Sequence, residues 1–249
     1  MDIRQFILPA AVGLTHIKVY DTPGPDGLIS GGAHIHLVCS EIYFVLNGTG
    51  QLETLSIDGP ELTDLLPNKA AFFRPGTFHR ILNPNKNLEI LAIMQNGGLA
   101  ERGDFVMAFP SDVLASPTAY AHALRAPNLA DALKRRDLSL QGYLEIKAAF
   151  ARSKDEGQTA LRNFYHAARK LIAPKVDGFE WVLKVGAQSE VKASLDACDF
   201  VRSGRIDYLE NARHAAIYPL DTPAKPGMCG ELYHYAVDES FHTEGRKVA

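Results

Sequence analysis

Turn signatures recur so closely in the first hundred residues that only short elements fit between them. Pro23-Gly24, Asn47-Gly48, Asp58-Gly59, Pro75-Gly76 and Asn96-Gly97-Gly98 each reverse the chain. Proline presets φ for a turn, and glycine or asparagine accepts the positive φ that many turns require. The segments between them are short apolar runs or apolar–polar alternations, which predict strands at residues 15–20, 33–38, 41–46, 50–56, 70–73, 79–83 and 88–95. Many short strands at such spacing predict a sandwich or barrel.

Beyond residues 109–110 the composition shifts: glycines thin out and Ala, Leu, Lys and Arg take over. Ala160, Leu161, Phe164, Tyr165, Ala168, Leu171 and Ile172 recur at helical spacing, with Arg162, Arg169 and Lys170 on other faces, until Pro174 ends the run. Weaker helical patterns cover residues 113–125, 128–136 and 140–152, so residues 111–175 read as a helical segment. Strand-like runs return at 179–185, 215–220 and 231–237. The predicted class is α+β, mainly β: a β-domain over residues 1–110, the helical segment, and a strand-containing tail over 176–249 that packs on the domain or on a dimer partner.

Composition excludes several classes of function. A chain of 249 residues that is 46% hydrophobic and 22% charged packs a core instead of remaining disordered. Its 26 Lys plus Arg against 29 Asp plus Glu leave a formal charge of −3, which gives no electrostatic case for nucleic acid. Lys134-Arg135-Arg136 is a single short basic run, too little for a helix-turn-helix regulator. Apolar runs reach five residues, as at 42–46 and 90–94, far below the ~18 of a membrane helix. Asp2, Arg4 and Pro9 interrupt the start of the chain and do not make a secretory leader. Cys39, Cys198 and Cys229 are odd in number and lack a C-x-x-C pair, which predicts reduced thiols and a cytoplasmic protein while leaving room for one bridge.

Residues 217–240 match residues 17–40 without gaps. Ile17, Asp21, Thr22, Pro23, Gly27, His34 and Ser40 recur as Ile217, Asp221, Thr222, Pro223, Gly227, His234 and Ser240. Either an old duplication or a shared hairpin chemistry accounts for this. Ala236 stands where the first copy has His36, so no second intact site is expected.

The chemistry concentrates in one stretch: His34-x-His36, four residues, Glu41, six residues, Gly48, and later Pro75-Gly76, two residues, His79, three residues, Asn83. On a strand, residues two apart project from the same face, so the imidazoles of His34 and His36 can converge on one ion. Glu41 begins the next run and can return to that face, and His79 follows a turn that lets the chain reverse beside it. Three imidazoles and a carboxylate suit one divalent transition metal, Fe²⁺, Mn²⁺, Ni²⁺, Co²⁺ or Zn²⁺, and four protein ligands leave open positions. Any one of these histidines alone is more simply a strand residue satisfied by carbonyls. With nine His in 249 residues, three at prescribed positions are a roughly 1-in-20,000 coincidence, which favours a common purpose for the set.

This pattern resembles the two consensus motifs of the cupin superfamily, over about residues 15–95. The resemblance implies a small antiparallel jelly-roll barrel within residues 1–110, with His34, His36, Glu41 and His79 as metal ligands inside it; Gly48 and Asn83 match turn positions. Arg74 and Lys69 depart from the proline and glycine usual there, at positions that are not ligands. Residues 111–249 lie outside the resemblance. Cupins include dioxygenases, isomerases, epimerases, decarboxylases and proteins that only bind ligands. The leading expectation is a metal-dependent enzyme of dioxygenase type acting on a small polar or carboxylate-bearing molecule, with an isomerase or epimerase and a non-catalytic binding cupin as alternatives.

Around the ligands, Tyr43 shares a strand face with Glu41 and is the first candidate for a catalytic polar group. Arg74, Arg80 and Gln95 are candidates for contacting substrate, the arginines through a planar fork that fits a carboxylate. Phe44, Phe72 or Phe73, and Phe78 are candidate pocket walls; Tyr165, His166, His234 and Tyr235 read as packing or surface residues. Exposed sheet edges need covering, which predicts that the tail strands add to this barrel or a neighbour's, and a homodimer.

Overall fold

The computed structural model describes residues 8–212, 217, 219 and 223–235. Nine strands come first: β1 (Gly13–Val19), β2 (His34–His36), β3 (Glu41–Asn47), β4 (Gly50–Ser56), β5 (Gly59–Leu65), β6 (Ala70–Phe73), β7 (Phe78–Leu82), β8 (Glu89–Met94) and β9 (Phe105–Met107). Helices follow: α1 (Ser111–Leu114), α2 (Pro117–Leu124), α3 (Leu129–Arg152), α4 (Lys154–Ile172), α5 (Val176–Leu183) and α6 (Ser189–Arg202). Two late strands, β10 (Lys225–Pro226) and β11 (Gly230–Tyr235), complete the described chain.

The strands form two antiparallel sheets, in the orders β10-β11-β1-β8-β3-β6 and β5-β4-β7-β2-β9. The sheets face each other without closing into a hydrogen-bonded cylinder, so the predicted mainly β jelly-roll is realised as a two-sheet sandwich. Period-2 burial explains the pairing: Glu41, Tyr43 and Val45 of β3 are buried while Ile42 is exposed, and Ile90, Ala92 and Met94 of β8 turn inward. Between the sheets lie Ile17, Tyr43, Val45, Leu52, Leu65, Phe73, Ile81 and Ile90.

The helices cover the outer face of the five-stranded sheet. Ala33, Ile35, Leu55, Phe78 and Val106 pack there with Leu140, Tyr143, Ile146 and Phe164 in a second core. Every residue of β7 is buried for this reason, since both of its faces are covered. Gly142 permits the close approach of α3, because a Cβ there would lie 2.4 Å from the Ala108 carbonyl oxygen. Ser153, in extended conformation, ends α3 and caps α4 by accepting the Glu156 N–H at 3.2 Å.

Several expected elements differ. The separate helices at 128–136 and 140–152 are one helix, α3. The strand expected at 179–185 is instead α5 followed by a π-helical turn, Lys184–Gln188. Phe179, Val182 and Gly186 are buried at helical spacing, which the short apolar run concealed. Strands β5 and β9 were not expected; β5 carries Pro60, Glu61 and Asp64, an edge strand made unattractive to other edges by its charges and proline. The strand expected at 215–220 falls outside the described residues except for Ile217 and Pro219.

The tail strand β11 pairs with β1, from Leu14 opposite Tyr235 to Val19 opposite Gly230. Of the two expected arrangements, the tail strand takes the one in which it adds to its own barrel, along β1. In the sequence similarity of residues 17–40 with 217–240, Asp221, Thr222, Ala236 and Ser240 lie outside the described residues. His34 sits in the five-stranded sheet and His234 on β11 of the other, so the likeness does not extend to equivalent places in the fold. Cys39, Cys198 and Cys229 are free thiols, and no helix among the described residues is long and apolar enough to cross a membrane.

Candidate metal centre

His34 and His36 project together from β2 into the space between the sheets, and His79 of β7 lies directly across from His34 in the ladder. Glu41, the first residue of β3, reaches the same point from the facing sheet, where it pairs with Phe73 and Met94. Three imidazoles thus come from one sheet and a carboxylate from the other. One ligand atom from each residue falls within 4.8 Å of all the rest. All four side chains are buried, with exposures of 1%, 3%, 5% and 0% for His34, His36, Glu41 and His79.

Backbone carbonyls orient the imidazoles. His34 Nδ1 lies 3.3 Å from the Gly32 oxygen, His36 Nδ1 3.1 Å from that of Asp104, and His79 Nδ1 3.1 Å from that of Thr77. A carbonyl only accepts, so each Nδ1 carries a proton, and a ring in its neutral form turns an Nε2 lone pair inward. His34 Nε2 and His79 Nε2 then face each other at 2.9 Å with no proton assigned between them. Glu41 Oε2 lies 3.4 Å from His36 Nε2 and 3.5 Å from His79 Nε2, yet makes no hydrogen bond and is sealed from solvent. A buried carboxylate oxygen without a partner is costly in a native fold and calls for a specific cause. Converging lone pairs and an orphan anion are the donor set that a divalent cation satisfies, and the residues fit such an ion.

Electrostatics separate the three histidines. Burial, together with the neighbouring imidazoles, holds His34 and His79 well below the usual histidine range. Burial also pulls His36 down, but the Glu41 and Asp104 carboxylates more than offset it and its pKa is raised. Two neutral imidazoles are thus ready as ligands at neutral pH, and the third is tied to the carboxylate.

The motif spacing read from the sequence has become one cluster between the two sheets of a jelly-roll. The cluster and the two-sheet fold agree with the cupin resemblance of the sequence motifs. Neither a family model nor a curated protein matches the sequence. Among solved structures, 37% of this chain is similar to 64% of WlaRA, a TDP-fucose-3,4-ketoisomerase from Campylobacter jejuni, at 16% identity and a TM-score of 0.31. The DMSP lyase DddQ from Ruegeria pomeroyi matches 41% of it, over 45% of the lyase chain, at 19% identity and a TM-score of 0.31. A cupin 2 conserved barrel domain protein from Salinispora arenicola matches 38% of it, over 71% of that chain, at 22% identity and a TM-score of 0.29. The chain spans less than two thirds of the ketoisomerase and of the lyase.

Aromatic side chains wall the cluster. Phe73 stacks on His79 with ring centroids 4.1 Å apart, and Phe105 lies 6.5 Å from both His34 and His36. Tyr43 stands 6.0 Å from His79, and its hydroxyl is 4.0 Å from Cys229 Sγ, brought in by the loop before β11. Burial pushes Tyr43 well above its ordinary value and, with the Glu41 charge, pushes the Cys229 thiol up to about 12. Of the expected walls, Phe78 turns outward to the helices and packs on Tyr143 and Phe164, and Phe72 is exposed.

The three residues expected to contact substrate lie on different elements. Arg80 follows His79 on β7 and so points to the opposite face. There its guanidinium is buried against Asp26 at 2.8 and 3.0 Å, Ser30 at 3.0 and 2.8 Å, and Glu53 at 3.5 Å. Gln95 is exposed beyond β8 and brackets Ser40, accepting its N–H at 3.3 Å and donating to its carbonyl at 2.9 Å. Arg74 is exposed on the turn between β6 and β7, where its carbonyl accepts the Thr77 N–H. Tyr165 reaches that turn from α4 and donates to the Gly76 carbonyl at 2.7 Å, while the Gly76 N–H donates to the His36 carbonyl at 2.8 Å. Gly76 has a φ of +87°, so the turn before His79 needs its glycine. Cys229 and Asp104 were not singled out by the sequence, since their contacts span long separations.

Proposed function

We propose that His34, His36, Glu41 and His79 hold one divalent transition-metal ion, from among Fe²⁺, Mn²⁺, Ni²⁺, Co²⁺ and Zn²⁺, and that the protein is a metal-dependent enzyme acting on a small polar molecule. The observation that carries this reading is the buried, unpartnered Glu41 Oε2 beside the facing nitrogens of His34 and His79. When bound, such an ion supplies Lewis acidity or a redox centre. The chain's own part is to hold His34 and His79 neutral by burial, aim the three imidazoles through the backbone carbonyls, and wall the cluster with Phe73 and Phe105.

Within this reading oxygen chemistry of dioxygenase type stands ahead of isomerisation. An isomerase or epimerase needs a base beside the metal to take the substrate proton. Among the described residues, the polar neighbours Tyr43 and Cys229 are both held protonated by burial. Tyr43 is then a hydrogen-bonding group facing the cluster, and Arg74 remains the candidate contact for a substrate carboxylate. The near-complete burial of all four ligands favours a second reading, a cupin that binds metal or ligand without turnover.

Oxygen uptake by protein reconstituted with Fe²⁺, offered catechol, thiol and keto-acid substrates, separates the readings. Uptake with one class, absent in His79→Ala, is the expected result. Consumption of a substrate without oxygen moves the isomerase ahead, and saturable binding with no turnover moves the binding role ahead.

A further inference from the structure

Between His36 and Glu41 the chain crosses from one sheet to the other, and residues 37–40 belong to no strand ladder. Their N–H groups nevertheless all have acceptors. Asp104 Oδ1 accepts from Leu37 at 3.1 Å and Val38 at 2.8 Å, and its Oδ2 accepts from Cys39 at 2.8 Å. The fourth, Ser40, donates to Gln95. The backbone carbonyl of Asp104 is also the acceptor for His36 Nδ1, and Oδ2 lies 3.8 Å from the same nitrogen.

Asp104 is fixed in its turn. Its side chain is fully buried, its N–H donates to the Leu99 carbonyl at 3.0 Å, and it precedes β9, whose Phe105 pairs with His36. One residue, more than sixty positions away in sequence, therefore holds both the ring of His36 and the crossover that delivers Glu41. A carboxylate accepting several N–H groups makes charge-assisted bonds that fix geometry more firmly than neutral ones. Groups that orient metal ligands in this way set affinity without touching the ion.

We propose that Asp104 is a positioning residue of the metal centre: it sets the distance and angle between His36 and Glu41 by tying down the crossover between them. The inference rests on the metal reading of the four ligands. The amide of Asp104→Asn keeps one acceptor but turns an NH₂ donor toward an N–H it cannot accept, so the cap is lost at Cys39 or at the Leu37–Val38 pair.

The test is a titration of wild type and Asp104→Asn with Co²⁺, followed by visible absorption, with thermal unfolding of the metal-free proteins alongside. Binding about 10- to 100-fold weaker, with an altered cobalt spectrum, is the expected outcome. A merely structural role would lower the unfolding temperature and leave the cobalt spectrum and affinity as in wild type, and that result overturns the proposal while the metal reading stands. Wild type that takes up no cobalt overturns both. Should Asp104→Asn not fold, Asp104→Glu carries the same comparison, because its longer arm keeps the charge and displaces the oxygens.

Discussion

Arg80→Ala offers a quantitative check, because Arg80 was expected at the substrate and is found in a buried charge network instead. Its guanidinium donates to Asp26, Ser30 and Glu53, and nothing of the side chain is exposed. Removing one partner from a buried pair costs about 3–5 kcal/mol, since the remaining charge is left without compensation. Here the lower part of that range applies. Glu53 keeps its ion pair with Lys147, and the Asp26 side chain, 17% exposed, can be rehydrated. A loss of about 3–4 kcal/mol corresponds to a fall in Tm of about 6–16 °C for a chain of this size.

The same network predicts a pH signature. Burial raises the Asp26 pKa, but the hydrogen bonds and charge of Arg80 outweigh it, so the carboxyl sits below its ordinary 3.8. A depressed carboxyl contributes stability that is fully present above its unfolded value and is lost as pH falls through the folded value. Denaturant unfolding of wild type should therefore lose this contribution below about pH 4, and Arg80→Ala should lose less over the same window. Metal content should be equal in the two, because Arg80 and His79 point to opposite faces of β7. An unchanged Tm together with a raised KM would refute this reasoning and return Arg80 to the substrate.

Other perturbations follow from the site. Glu41→Gln removes the one carboxylate among the four clustered residues, so the rise in Tm on adding metal should disappear while the metal-free protein still folds; an undiminished rise in Tm in the variant would count against Glu41 as a ligand. Tyr165→Phe deletes the bond to the Gly76 carbonyl and should cost about 0.5–1.5 kcal/mol, measured by thermal unfolding. No loss of stability there would mean that α4 does not brace the turn before His79.

What could be read from the sequence follows the range of the interactions involved. The four-residue cluster was legible because His34 and His36 share a face by strand alternation and the motif spacing brings in His79 and Glu41, His79 from the neighbouring strand and Glu41 from the facing sheet instead of the neighbouring strand expected for it. The same alternation, applied to Arg80 beside His79, places it on the far side of β7, a consequence the adjacency in sequence concealed. Gln95 lies one residue past the end of β8, where alternation no longer fixes its direction. The run around Phe179–Leu183 is as apolar as a strand, and only its packing distinguishes it as a helix. Asp104 and Cys229 gave no local signal, since one acts on residues more than sixty positions earlier and the other meets Tyr43 across 186. The outward face of β7 could not be assigned either until α3 and α4 were seen to cover it.

Elemental analysis tests the central claim most directly. Protein purified without added metal or chelator is compared with the double variant His34→Ala, His36→Ala. The account predicts close to one divalent transition-metal ion per chain in the natural protein and a loss of that ion in the variant. Absence of metal from the natural protein even after reconstitution, or full retention in the variant, would contradict it.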